Sequence, residues 1–188
     1  MPRRPVPGIF CLEGLWSPRL TDQANVKPLL ELLEQHKKVR FLHWRISSIP
    51  ELESTVSKWP QRQYERFSLG YFGFHGVPGR LLIGRRYITL EQMGDVLAGQ
   101  CTGKTLYFGS CGVLGIKPAE IEQFRRRTKA RCVIGFKEQD VDWMVSAAFD
   151  LMLFDALTHY QRMDAVDRYM KRNQPALVKQ LGFRMYYG

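Results

Sequence analysis

A chain of 188 residues fits one domain and is long enough to bury a real core. Its 45% hydrophobic and 24% charged residues are ordinary for a globular protein, and no apolar run approaches the roughly 18 residues of a membrane span, so a membrane partner is not expected. The formal charge of +10 admits a nucleic-acid or acidic partner, but the positive residues are scattered, densest at Arg125, Arg126, Arg127, Lys129 and Arg131, and no nucleic-acid-binding motif accompanies them.

The residues Met1 to Pro7 carry two arginines and no apolar signal core, which makes the cytosol the expected location. Residues 8–16 (GIFCLEGLW) read as a buried strand. Residues 22–38 place Leu29, Leu30, Leu32 and Leu33 at helical spacing, with Asp22 as N-cap and Lys37-Lys38 at the carboxyl end. A second strand follows over 39–46, then a helix over 50–63 opened by Pro50 and ended or kinked at Pro60. Residues 66–74 form an aromatic-rich third strand. The run GRLLIGRRYITL alternates around Gly84 as a small hairpin, and Thr89 caps a helix over 90–99. Residues 104–110 and 131–136 are the fourth and fifth strands, separated by a helix over 117–129 with Pro118 near its first position. The longest and most apolar helix is 141–160. The basic remainder, 161–188, reads as helix closed by a strand (FRMYY). The whole is one domain, with its core over about 8–160.

Strands alternating with helices build a parallel sheet covered by helices on both faces. Function in such a sheet gathers at the carboxyl ends of the strands. The residues there are Glu13-Gly14, His75-Gly76, Ser110-Cys111-Gly112 and the segment 137–142. None of the four cysteines forms a CxxC pair or a zinc-like set with histidine. Cys11 and Cys132 fall in apolar strands as core filler, and Cys101 lies in a loop. Cys111 differs: it and His75, each followed by glycine, end two successive strands. Strands lie about 4.8 Å apart, so the two side chains come within reach of each other. Cysteine attacks as a thiolate that a nearby base favours, and histidine can return a proton to a departing amine. Gly76 leaves room for a substrate carbonyl, and a tetrahedral intermediate needs main-chain N–H donors, for which Gly76 and Cys111 are the candidates.

An apolar strand ending in His-Gly (YFGFHG), then one ending in a small residue and Cys (LYFGSCG), resembles the caspase-like cysteine peptidases, and the piece VIGFKEQDVDWMVSAAFDLMLFDAL resembles the bacterial CHAT members of that clan. The resemblance covers roughly residues 8–160. It implies a caspase-like three-layer α/β/α sandwich with a mainly parallel sheet of about six strands, the last from the tail. It implies His75 as general acid/base, Cys111 as nucleophile, and Gly76 and Cys111 as oxyanion donors. The substrate would be a protein or peptide, with a regulatory protein partner possible for a chain this short, and the chemistry requires no metal or other cofactor. Basic-specific members carry an acidic residue two before the cysteine, and here that residue is Gly109. Glu13, at the end of the first strand, and Asp142 are the candidate substrate-binding carboxylates, favouring a basic or neutral P1 residue.

Plainer readings stand beside these. Cys111 is a small buried thiol, His75 a turn histidine, Glu13 a salt-bridged carboxylate and Asp142 a helix cap. His36, His43 and His159 are structural. At the level of the whole chain, the rivals are a catalytically degenerate binding module for nucleic acid or an acidic protein, and a cysteine hydrolase or acyltransferase of another kind. A GxSxG elbow and a glycine-rich phosphate loop are both missing.

Overall fold

The computed structural model describes residues 7–17, 19, 21 and 23–188. In chain order the elements are β1 (Gly8–Glu13), α1 (Lys27–Gln35), β2 (Arg40–Arg45), α2 (Ile49–Val56), a 3-10 turn (Arg62–Tyr64), β3 (Leu69–Gly73), β4 (His75–Val77), β5 (Arg80–Ile83) and β6 (Arg86–Thr89). They continue with α3 (Leu90–Val96), β7 (Thr105–Phe108), α4 (Pro118–Thr128), β8 (Cys132–Phe136), α5 (Trp143–His159), α6 (Met163–Asn173), α7 (Pro175–Gln180) and β9 (Phe183–Tyr187).

Local chemistry sets the helix starts. Ser48 accepts the Glu51 N–H and opens α2, and Thr89 and Gln92 bond reciprocally as a capping box for α3. The N-cap expected at Asp22 lies outside the described residues. The helix itself starts at Lys27, with Pro28 in its first turn, because proline's fixed φ suits that place. The helix expected over 50–63 stops at Val56, before Pro60, and Trp59 turns inward to stack on Phe10 at 5.0 Å.

The strands form a six-stranded sheet in the order β2-β1-β3-β7-β8-β9, parallel throughout except for β9, which runs antiparallel to β8. Alternation along each strand sends side chains to two cores. Phe10, Leu12, Phe72, Leu106, Phe108 and Val133 pack with α2, α3 and α4 on one face. Ile9, Cys11, Tyr71, Tyr107, Ile134 and Phe136 pack with α1, α5 and α6 on the other. The fold is thus a three-layer α/β/α sandwich around a mainly parallel sheet. Residues beyond 160 are part of it rather than an appendage, since Val166, Met170 and Phe183 are fully buried. Among the described residues no helix is long and apolar enough to cross a membrane.

The expected hairpin around Gly84 is a separate three-stranded antiparallel sheet, β4-β5-β6, and His75 is the first residue of β4 rather than the last of β3. Because β3 lies on the opposite side of β1 from β2, strand order reverses between β1 and β3. A ligand-binding crevice is expected outside the carboxyl ends of the strands at such a reversal. Residues leaving β1 and β3 therefore border the candidate site.

Candidate functional site

Ser110 ties the carboxyl ends of β3 and β7 together, just before His75 and Cys111. Its Oγ accepts the Phe74 N–H at 3.2 Å and donates to the Phe72 carbonyl at 3.1 Å. This clasp holds the end of β7 against the end of β3. One residue further, Gly76 lies directly on the Cys111 main chain. A Cβ at Gly76 would come 2.5 Å from both the Cys111 carbonyl oxygen and Val113 Cγ2. Any larger residue would push β4 away from Cys111.

The donors expected of an oxyanion site keep their hydrogens available. The two-residue turn Pro78-Gly79 makes Val77 and Arg80 the closing pair of β4 and β5. Gly76 then occupies the non-hydrogen-bonded position, and its N–H faces away from β5. The Cys111 N–H donates to no acceptor among the described residues.

Cys111 is the one half-exposed thiol of the four, the others being buried. Burial raises Cys101 and Cys132 to about 12 and Cys11 well above its usual value, so these three remain protonated thiols. Cys111 Sγ approaches the Val141 carbonyl at 4.0 Å, which brings the segment leading into α5 over it.

The His75 imidazole is exposed and is held by a group that side-chain motifs do not reveal. Its Nε2 lies 2.7 Å from the Trp16 main-chain oxygen, and the two rings meet edge-on at 5.3 Å. A carbonyl only accepts, so Nε2 carries the hydrogen, and Nδ1 is the basic nitrogen of the neutral ring. Trp16 is held in turn by Glu13, whose Oε1 accepts from the indole Nε1–H and, at 2.8 Å, from the Val26 N–H. Glu13 Oε2 pairs with His43 Nε2 at 2.5 Å. The chain of contacts runs His43, Glu13, Trp16, His75. Among the described residues no hydrogen bond joins His75 to Cys111.

This geometry corrects one expectation. Glu13 is fully buried, with both oxygens bonded inside the protein, so it has no atom to offer a substrate, and the basic or neutral P1 preference drawn from it loses its support. Asp142 is exposed, and its Oδ1 accepts the Val145 N–H at 2.9 Å as the cap of α5. Gly109, where an acidic residue would mark basic specificity, packs against the Tyr71 ring so closely that no side chain fits.

His75 opens onto a cleft of ≈ 940 Å³ bounded by Leu15, Trp16, Ile49, Leu82, Arg85 and Arg86. Cys111 is not among its lining residues and lies on the far side of Gly76. Among the described residues no group of three or more His, Cys, Asp or Glu side chains is gathered as a metal site. The basic cluster is partly neutralised, since Glu122 holds Arg125 and Arg126 and Asp95 holds Arg127.

No curated protein matches the sequence. Residues 7–187 match the profile of a protein family described as "Family of unknown function (DUF6642)", and the chain belongs to that family.

Proposed function

We propose that this chain is a cysteine endopeptidase of the caspase-like type, cytosolic, with Cys111 as nucleophile and His75 as general acid/base. The observation that carries the reading is the seating of Gly76 on the Cys111 main chain, beside an imidazole oriented by the Trp16 carbonyl. In the reaction His75 takes the Cys111 thiol proton, Sγ adds to the scissile carbonyl carbon as its C=O π bond opens to an oxyanion, and the oxyanion accepts from the Gly76 and Cys111 N–H groups. The C–N bond then breaks, the amine leaves with a proton from His75, and a thioester remains. Water, deprotonated at His75, adds to the thioester, releases the acid and restores the thiol. The buried Glu13 acts through Trp16 as a positioning residue.

The test is site-resolved alkylation of Cys111 across pH in wild type and His75→Ala, followed by a peptide-library cleavage screen. Selective labelling of Cys111 that slows in His75→Ala, with cleavage abolished in Cys111→Ala, is expected. Cleavage that survives Cys111→Ala would sink the proposal.

A second reading has its own observation in favour. The absent His75–Cys111 hydrogen bond and the cover over Cys111 at Val141 fit a degenerate member that binds a protein partner without cutting it. That reading predicts that Cys111, although more exposed than Cys11 or Cys132, labels at the same rate with and without His75.

A further inference from the structure

The site above uses the ends of β1, β3 and β7, and leaves β2, the opposite edge of the main sheet, unexplained. β2 pairs only with β1 among the described residues. The Arg40 N–H donates to Pro7 O at 3.0 Å and the Ile46 N–H to Glu13 O at 2.8 Å, so the even-numbered residues face β1. The main-chain groups of Phe41, His43 and Arg45 therefore point outward, as an open template for another strand. Pro is missing from RFLHWR, and its charges, Arg40 and Arg45, stand at the two ends and leave the centre uncharged.

Beside this edge is a groove of ≈ 310 Å³ between β2 and α2, lined by Phe10, Leu42, Trp44, Thr55, Lys58 and Tyr64. Trp44 is 60% exposed and Leu42 36%, unusual for neighbours on one strand face. Charge at the groove and edge is predominantly positive, although the Glu51 carboxylate lies against the Trp44 side chain. Arg40 and Lys58 have no ion-pair partner among the described residues, and Arg45 donates to the Ala24 carbonyl. The acid on the same ridge of α2, Glu51, is engaged by the Ser47 N–H and hydroxyl at 2.8 Å.

We propose that β2 is a docking edge for an acidic, extended peptide segment of a partner protein, which adds a strand to the sheet and places an apolar side chain in the groove beside Trp44. The main chain supplies affinity, the groove selects alternate side chains, and the arginines select acids near the ends of the added strand. A second copy of the chain fits poorly. The net charge of +10 on each copy makes two copies repel.

The experiment uses the full chain and a fluorescein-labelled hexapeptide EVTVTE, with its charge-swapped twin KVTVTK as comparison. Fluorescence anisotropy is expected to show EVTVTE binding at least ten-fold tighter than KVTVTK, and at least ten-fold weaker to Trp44→Ala and to Arg40→Glu. Amide hydrogen exchange on the wild-type complex provides a readout independent of any variant. Phe41, His43 and Arg45 gain protection, while Leu42 and Trp44, already in the ladder, do not change. Equal binding of the two peptides, or no binding at millimolar EVTVTE, overturns the proposal, as does unchanged exchange at the three outward amides. A dimer in sedimentation that Trp44→Ala abolishes would assign the edge to a second copy instead. Preferential binding of a thymidylate oligomer through Trp44 would assign it to nucleic acid. Either result also overturns the proposal.

Discussion

The two faces of the sheet are built from different materials. The face under α2, α3 and α4 is dry: Phe10 stacks on Trp59, Phe72 stacks on Phe108, and leucines from both strands and helices fill the space between. The face under α1, α5 and α6 also buries Glu13 and Asp150 at its centre, and Asp167 on α6. The central two have been given partners. Glu13 has His43, Trp16 and the Val26 N–H, and Asp150 accepts from the hydroxyls of Tyr71, at 2.6 Å, and Tyr107. A buried charge without such partners costs far more than a lost apolar contact. Both carboxylate clusters reach toward the candidate site, Glu13 through Trp16 to His75, and Asp150 through Tyr71 to Gly109. The dry face supplies cohesion, while the polar face orients side chains.

This contrast is sharpest in how stability responds to substitution and to pH. Phe72→Ala, on the dry face, should cost about 3–5 kcal/mol in urea unfolding, the usual range for a truncated buried aromatic, with the same cost at pH 5 and pH 8. A strongly pH-dependent cost would mean that the dry face is coupled to a titrating group.

Asp150 makes the opposite prediction. Burial raises its pKa from 3.8 to about 7, while the tyrosine hydroxyls pull it down only in part. Between those values the folded chain holds a proton that the unfolded chain has released, so this group's contribution is fully present below pH 4 and is lost as pH rises to about 7. The change amounts to up to about 4 kcal/mol by linkage. Asp150→Asn cannot ionise and should lack this loss. The quantity to measure is the difference between wild type and variant across pH 4–8, because Glu51 and Glu122, whose pKa values are lowered, contribute with the opposite sign. A difference that is flat with pH would refute the assignment.

Glu13→Gln should destabilise by about 2–3 kcal/mol, since it weakens a buried, charge-assisted network without emptying the space. Its distinguishing readout is the His75 ring. In NMR titration the His75 nitrogens should shift with the loss of Trp16 anchoring, and a purely structural role for Glu13 would leave them unchanged. The smallest effect is expected at the surface. Asp142→Ala removes the cap of α5 and should cost about 1 kcal/mol. It should also speed Cys111 alkylation, because the uncapped end carries Val141, whose carbonyl lies over the thiol. Slower labelling would show that this segment supports the thiol rather than covers it.

The order of strands and helices was legible because each signal is local. Apolar runs such as CVIGF can only be buried, Thr89 and Asp142 sit where caps belong, and Pro28 and Pro118 tolerate only a first helical turn. His75, Gly76 and Cys111 were legible as a group because their strand-end positions follow from the same local patterns. Two features close to the site were not. His75 belongs to the small antiparallel sheet, which depends on its pairing with Leu82. Glu13 looked available because a carboxylate at a strand end usually meets water, whereas here Trp16, three residues on, and Val26 and His43, from further along the chain, close over it.

By itself, then, the amino-acid sequence determined the α/β alternation, the parallel sheet with helices on both faces, and the arrival of a histidine and a cysteine near the carboxyl edge of the sheet. Those depend on periodicity, apolar content and capping, each read within a few residues. The tertiary structure alone decided which carboxylate faces solvent, which thiol is reachable, and that a main-chain carbonyl at Trp16 orients the imidazole. Every residue carries the same carbonyl, so no side-chain pattern marks the one that matters. Only the reversal of strand order between β1 and β3 brings it to His75.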